Sequence, residues 1–318
     1  MNCWIKSKAG YLNIVKMKIY KYLSKNGAIE SLKTNSVLLK CPLDYNDPFD
    51  CLFYVDKKEK KRAYKLFINY YLFREMHELF YVEKKEPVNY ETYAKILKVN
   101  IGQIAKNIKT TKRYTYQADI GMYQKLASMM VKTNLDEMQK KFDEMIENVL
   151  SQVRETALVS CFGLDNKSVL MWSHYGEKHE GACFEYEVPD NDVYKKIKYN
   201  KKLPIFKLVK LMEIILGHDF VNEKIDTNNY LYGFVLEPLL TKSNDWKYEK
   251  EVRCVFSKNE SNERIFTKDD KILLRMPKPT KIYLGCKAPE SFANEIKKYA
   301  DDITIEYMKM SASKYKVE

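Results

Sequence analysis

The chain has 318 residues, 45% of them hydrophobic, and a formal charge of +12, so it can bury one large core or two modest ones. Charged residues make up 31% and no apolar run approaches the roughly 20 residues a bilayer span requires, which excludes a membrane-spanning chain. Seven scattered cysteines without a C-x-x-C pair exclude a disulfide scaffold and a zinc ribbon, and the expected compartment is the cytoplasm.

The opening "MNCWIKSKAGYLNIVKM" lacks a compact apolar core and a small-residue cleavage site, so no signal peptide is expected. Residues 1–16 read as an N-terminal extension and 17–318 as a single α+β domain. "KIYKYL" alternates as a strand, "SKNGAIESLKTN" suits a short helix capped near Ser24 or Asn26, and "SVLLKCP" is a second strand. "DYNDPFD" is a turn-rich loop shaped by Pro48. From about 57 to 154 the pattern changes to three long amphipathic helices, "KKRAYKLFINYYLFREMHELF", "YETYAKILKVNIGQIAKNI" and "LDEMQKKFDEMIENVLSQVRE". This block reads as a helical insertion or subdomain, and His77 within it as a helix-surface residue. Next come a buried strand, "TALVSCF", a short helix, "SVLMWSHYG", and an alternating strand, "GACFEYEV". "IFKLVKLMEIILG" and "NYLYGFVLEPLLTKS" read as helices. "KYEKEVRCVFS", "RIFT", "KILLRM" and "KIYLGC" read as strands, before a helix, "PESFANEIKKYA", and a last strand, "ITIEYMKM". Without regular βαβ alternation the class is α+β, a mixed or antiparallel sheet core with a long helical insertion.

Three stretches carry residues fit for chemistry. In "LMWSHYGEKHEGACFEYEV", Trp172 and Tyr175 share one helix face while His174 projects from another. His174 and His179 are five apart, too far round a helix to chelate one ion together. A metal reading would have to gather Cys161, His174, His179 and Cys183 across strands; the plainer reading is core aromatics with a satisfied histidine, and no metal is expected. In "KSNDWKYEKEVRCVF" a strand would line Glu249, Glu251 and Arg253 along one face, with Lys242 and Trp246 upstream. That is either a surface ion ladder or a carboxylate held by an arginine fork. In "DYNDPFD", Asp44, Asn46, Asp47 and Asp50 are either a cation site or Asx side chains capping backbone amides.

In order, "IYKYL", "NDPFD", "VSCFG", "LMWSHYGEKHEGACFEY", K-x-x-x-W-x-Y-E-x-E-x-R and "IYLGC" resemble the bacterial domain-of-unknown-function family numbered 2971. Gly163 stands where that family usually has serine, and Ala182 where it has valine. The resemblance implies one polar–aromatic cleft built from Tyr20, Lys21, Asn46, Asp47, Trp172, His174, Tyr175, His179, Glu249, Glu251 and Arg253. In layout the chain is also similar to ADP-ribosyltransferase toxins, with Tyr20 and Lys21 in place of their first-strand His or Arg. That likeness implies an ADP-ribosyltransferase-like enzyme with NAD as cofactor, in which Glu251, Glu249, His174 and Tyr175 are catalytic. Tyr20, Lys21, Asn46, Asp47, Trp172, His179 and Arg253 would bind the cofactor. It further implies a toxin or phage-defence effector.

Competing readings remain open. Lysine supplies 48 of the 55 basic residues, which suits either a solvated surface or a nucleic-acid partner. A metal-dependent nuclease would gather Asp47, Asp50 and Glu249 or Glu251 around magnesium. A non-catalytic scaffold would bind a protein partner through the helical insertion. The expected partners are a nucleotide-like small molecule, nucleic acid through the lysine surface, and a protein at the insertion, with no membrane.

Overall fold

The computed structural model describes residues 15–77, 135–191, 193–212, 236–259 and 261–318. The chain divides into two compact units, one of Met1–Cys51, Glu155–Lys202 and Leu240–Glu318, the other of Leu52–Arg154 and Leu203–Leu239. The second of the three long helices expected from the sequence lies outside the described residues. Among those residues no helix is long and apolar enough to cross a membrane.

The first unit is built on a seven-stranded mixed sheet. Its strands are β1 (Lys16–Leu23), β3 (Ala157–Gly163), β4 (Ala182–Pro189), β5 (Lys195–Lys196), β8 (Glu251–Ser257), β11 (Lys281–Leu284) and β12 (Thr304–Tyr307). They run in the order β12-β11-β4-β1-β3-β8-β5, antiparallel except for β11 and β12. β2 (Ser36–Leu38), β9 (Ile265–Lys268) and β10 (Lys271–Arg275) form a small second sheet, and β6 (Lys198–Asn200) and β7 (Thr241–Ser243) a parallel pair. Helices and a mixed sheet together make this an α+β protein, as the strand and helix patterns implied. One helical expectation is corrected: in "NYLYGFVLEPLLTKS" the helix stops at 239, and Thr241–Ser243 pairs with β6 as a strand.

Period-two alternation sorts the sheet's faces. Ala182, Phe184, Tyr186 and Val188 of β4, with Ile19, Phe162, Val252 and Cys254, meet α1 (Lys25–Thr34) and α5 (Glu290–Ala300) in the main core. α1 begins where Ser24 Oγ accepts the Gly27 N–H at 3.2 Å and ends at Asn35, held at φ 46°; both are ordinary cap solutions. Phe292, Ala293, Ile296 and Ala300 of α5 bury one stripe. On the opposite face Trp172, Met171, Tyr22, Cys183 and Tyr283 form a second cluster beneath α4 (Val169–His174).

The register around β1 opens the sheet. β1 pairs with β4 over its whole length but with β3 only at Tyr20–Gly163. Further along β3, Lys40 takes over as neighbour, exchanging both backbone hydrogen bonds with Val159 at 2.9 Å. Ser160–Phe162 therefore face a gap between β1 and the chain leaving β2, and a cleft of about 830 Å³ begins there.

In the second unit, α2 (Lys57–His77) and α3 (Leu135–Thr156) bury Ala63, Phe142, Ile146 and Val153 with Phe53, Phe206, Leu208, Leu211 and Met212. Asp56 Oδ1 caps α2 by accepting from Lys58 N at 2.8 Å, and Lys60 pairs with Asp143 at 2.8 Å. His77 is the last residue of α2.

Candidate functional site

All residues of the cleft belong to the first unit, and its polar wall is assembled from four separate segments. The first is "DYNDPFD". Asp47 Oδ1 accepts from Phe49 N at 2.9 Å and its carbonyl from Asp50 N at 3.1 Å, so the turn spends Asp47 on its own backbone and delivers Asp50 inward. The second and third are β3 and β8, where the face opposite the main core carries Cys161, Glu251 and Arg253. The fourth is the connection from β7 to β8, which brings Lys242 and Glu249.

The strand reading of "KYEKEVRC" is corrected here. Asn244–Glu249 is a 3₁₀ helix, Lys250 ends it at φ 46°, and β8 starts only at Glu251. Glu249 and Glu251 do not alternate along one strand, yet the turn still brings Glu249 to the same cation. Lys242 Nζ sits 2.7 Å from Glu249 Oε2, 3.2 Å from Asp50 Oδ2 and 3.4 Å from Glu251 Oε2. Arg253, fully buried, donates from Nη2 to both Asp50 oxygens at 2.8 Å and from Nε to Glu251 Oε1 at 2.6 Å. Its Nη1 reaches Cys51 Sγ at 3.0 Å. Tyr175 donates its hydroxyl to Glu249 Oε1 at 2.8 Å. This is a buried ion cluster of three carboxylates and two cations, not a surface ladder.

The two glutamates are pushed apart. Burial alone would raise the Glu251 carboxyl, but Arg253 and Lys242 outweigh it and hold it low, at about 2. For Glu249, burial raises the carboxyl; Lys242 and the Tyr175 hydroxyl only partly offset that, and the charge of Glu251 adds to it. One site thus holds a fixed carboxylate and a carboxyl that keeps its proton more readily.

Of the other residues singled out from the sequence, Tyr20, Lys21, Asn46, His174 and Tyr175 line the cleft. Tyr20 lends its hydroxyl to Glu185 at 3.1 Å, an interaction that with burial raises the phenol to about 12. His174 is exposed, its ring about 6.5 Å from those of Trp246 and Tyr248. Arg253 lies behind the cleft, committed to Asp50 and Glu251. Trp172 and His179 lie away from the cleft. Trp172 is fully buried, with Nε1 donating to Asn166 O at 2.8 Å, and His179 stacks on its ring and meets Ser173 Oγ at 3.0 Å. Cys161, His174, His179 and Cys183 do not converge. Among the described residues no group of three His, Cys, Asp or Glu is disposed to hold a metal ion. Asp50, Lys242 and Cys161, which the sequence offered only in alternative readings and outside the expected cleft set, also line the cleft, as does Tyr45, which the sequence did not single out. For Lys242 the signal was present, at the head of K-x-x-x-W-x-Y-E-x-E-x-R.

Residues 171–254 match the family model described as "Protein of unknown function (DUF2971)", which bears out the resemblance from the Trp172–His179 stretch through Arg253. No curated protein and no solved structure matches the chain.

Proposed function

We propose that the protein is an enzyme that binds a nucleotide-like ligand in this cleft, NAD first among the candidates, and breaks its nicotinamide–ribose bond in an ADP-ribosyltransferase-like reaction. The observation that carries this reading is the pair of carboxyls with opposite proton affinities on one wall, beside Tyr175. Such pairs divide labour between a group kept charged and a group that exchanges a proton. Glu251 has both oxygens on Arg253 or Lys242, so its part is to fix Lys242 and, through it, Glu249. Glu249 is the group that acts. It takes the proton from the attacking hydroxyl as positive charge develops on the ribose.

The size of the cleft, about 830 Å³, lies within the range of small-molecule and cofactor sites. Lys40, Lys268 and Lys271 also line it and supply positive charge for phosphates. His174, with Trp246 and Tyr248 beside it, offers ring faces for a planar base. A role as a toxin or phage-defence effector belongs to the same proposal. Expression would then arrest growth, and Glu249→Gln would relieve the arrest.

The test is thermal melting with millimolar NAD, together with chromatographic detection of released nicotinamide. The expected result is a rise of several degrees and release of nicotinamide, with Glu249→Gln abolishing release while still folding, its melting temperature only slightly lowered. Neither a shift nor release would remove NAD. Binding of a single-stranded oligonucleotide that weakens steeply with salt would then favour the nucleic-acid reading.

A further inference from the structure

Lys21 is the most anomalous cation in the cleft. It stands on the helix-covered side of β1, where the sheet opens, and its amine crosses the gap to β3. There Nζ donates to Cys161 O at 2.8 Å and Ser160 Oγ at 3.1 Å, and it lies 5.1 Å from the centre of the Phe162 ring. Among the described residues no carboxylate forms an ion pair with it. An ammonium half out of water and held only by neutral acceptors is costly, and losing the proton relieves that cost.

We propose that Lys21 is a nucleophilic amine that forms an imine with a phosphorylated aldehyde admitted to this cleft. The nitrogen lone pair attacks the aldehyde carbon and forms a C–N bond. The carbonyl oxygen then departs as water with the two amine hydrogens, leaving C=N. Two acceptors fix the nitrogen, the Phe162 ring covers one side, and the cleft supplies Lys40, Lys268 and Lys271 for the phosphate. Burial depresses the amine's proton affinity; of the titratable groups around it, Cys161, Cys254 and Glu251 act the other way and Lys40 adds to the depression. Desolvated lysines are the usual Schiff-base formers. This site shares its phosphate-facing lysines with the NAD reading but uses neither Glu249 nor Tyr175, so labelling of Lys21 can stand or fall separately from release of nicotinamide.

The experiment uses the full chain and one equivalent of pyridoxal 5′-phosphate at pH 7, borohydride reduction, and peptide mapping by mass spectrometry. The expected product is a reduced adduct on the peptide containing Lys21, at least ten-fold above any other lysine. Pyridoxal, which lacks the phosphate, should label Lys21 at least ten-fold less, and the rate of labelling should level off well below the pH at which surface lysines do. Adducts spread over the other lysines without preference for Lys21 would overturn the proposal, as would equal labelling by the two aldehydes. Lys21→Arg keeps the charge and should lose the adduct. Because wild-type labelling alone decides the matter, a variant that fails to fold leaves the test intact.

Discussion

At the scale of single residues, the buried cluster makes opposite demands of two neighbouring glutamates. Glu251 is ionised and serves two cations, so Glu251→Gln leaves the buried Arg253 guanidinium and the Lys242 ammonium underpaired. Removing one partner of a buried pair costs about 3–5 kcal/mol, and denaturant unfolding of this variant should show a loss of that order. Burial raises the Glu249 carboxyl, so its charge is less strongly favoured than that of Glu251, and glutamine keeps its shape. Glu249→Gln should therefore cost about 1 kcal/mol, the scale of a single hydrogen bond. Equal losses in the two variants would mean that the carboxyls are not differentiated, and the acid–base assignment would fall. The same scale explains why Trp172 looked like a ligand-facing ring. Its spacing beside two histidines fits a site wall, and only the folded chain shows its N–H spent on Asn166 O.

At the scale of elements, the pattern of strands and helices was legible because periodicity follows burial. β1, β3, β4 and the α1 cap at Ser24 fall where alternation and capping chemistry put them, and β8 does so from Glu251 onward. What misled was backbone handedness. Alternating charges across "YEKEVR" imitate a strand, but Lys250 takes a left-handed conformation that side-chain alternation does not reveal. Likewise "GEKHEG" holds three consecutive left-handed residues, Glu177, Lys178 and His179, so His179 closes a loop and does not face the cleft. That loop is clamped from the far end of the chain. Lys287 N donates to His179 O at 3.0 Å and Gly285 N to Gly181 O at 2.9 Å, and a Cβ on Gly285 would run into the His179 carbonyl. Backbone cannot yield there as a flexible side chain can. Gly285→Ala should lower the melting temperature by several degrees, whereas Ser24→Ala should cost only the ~1 kcal/mol of a lost helix cap. A Gly285→Ala variant as stable as wild type would show the clamp to be dispensable.

At the scale of the whole molecule, these local shifts set how stability depends on pH. Glu251 has a folded-state pKa of about 2, below its unfolded value near 4.5. It therefore stabilises the fold above pH 4.5, and that contribution is lost progressively as the pH falls towards 2. Its full size is on the order of 3 kcal/mol. Glu249 has the opposite sign. Its raised carboxyl favours the fold at low pH, and the advantage disappears as the pH rises through its folded-state value. The chain also starts from +12, so protonating carboxylates adds self-repulsion to the loss at Glu251. Unfolding free energy should thus fall steeply below pH 4.5, whereas in Glu249→Gln the decline on the neutral side should flatten. His179, whose ring burial and Lys287 hold below the usual imidazole range, adds stability as the pH rises towards 6.5 and nothing further above it. The comparison must therefore be the difference between the two proteins, from which the His179 contribution cancels. A difference that stays constant from pH 4 to 8 would show that Glu249 titrates alike in the folded and unfolded chain, and the cleft would lose the raised carboxyl on which its acid–base assignment rests.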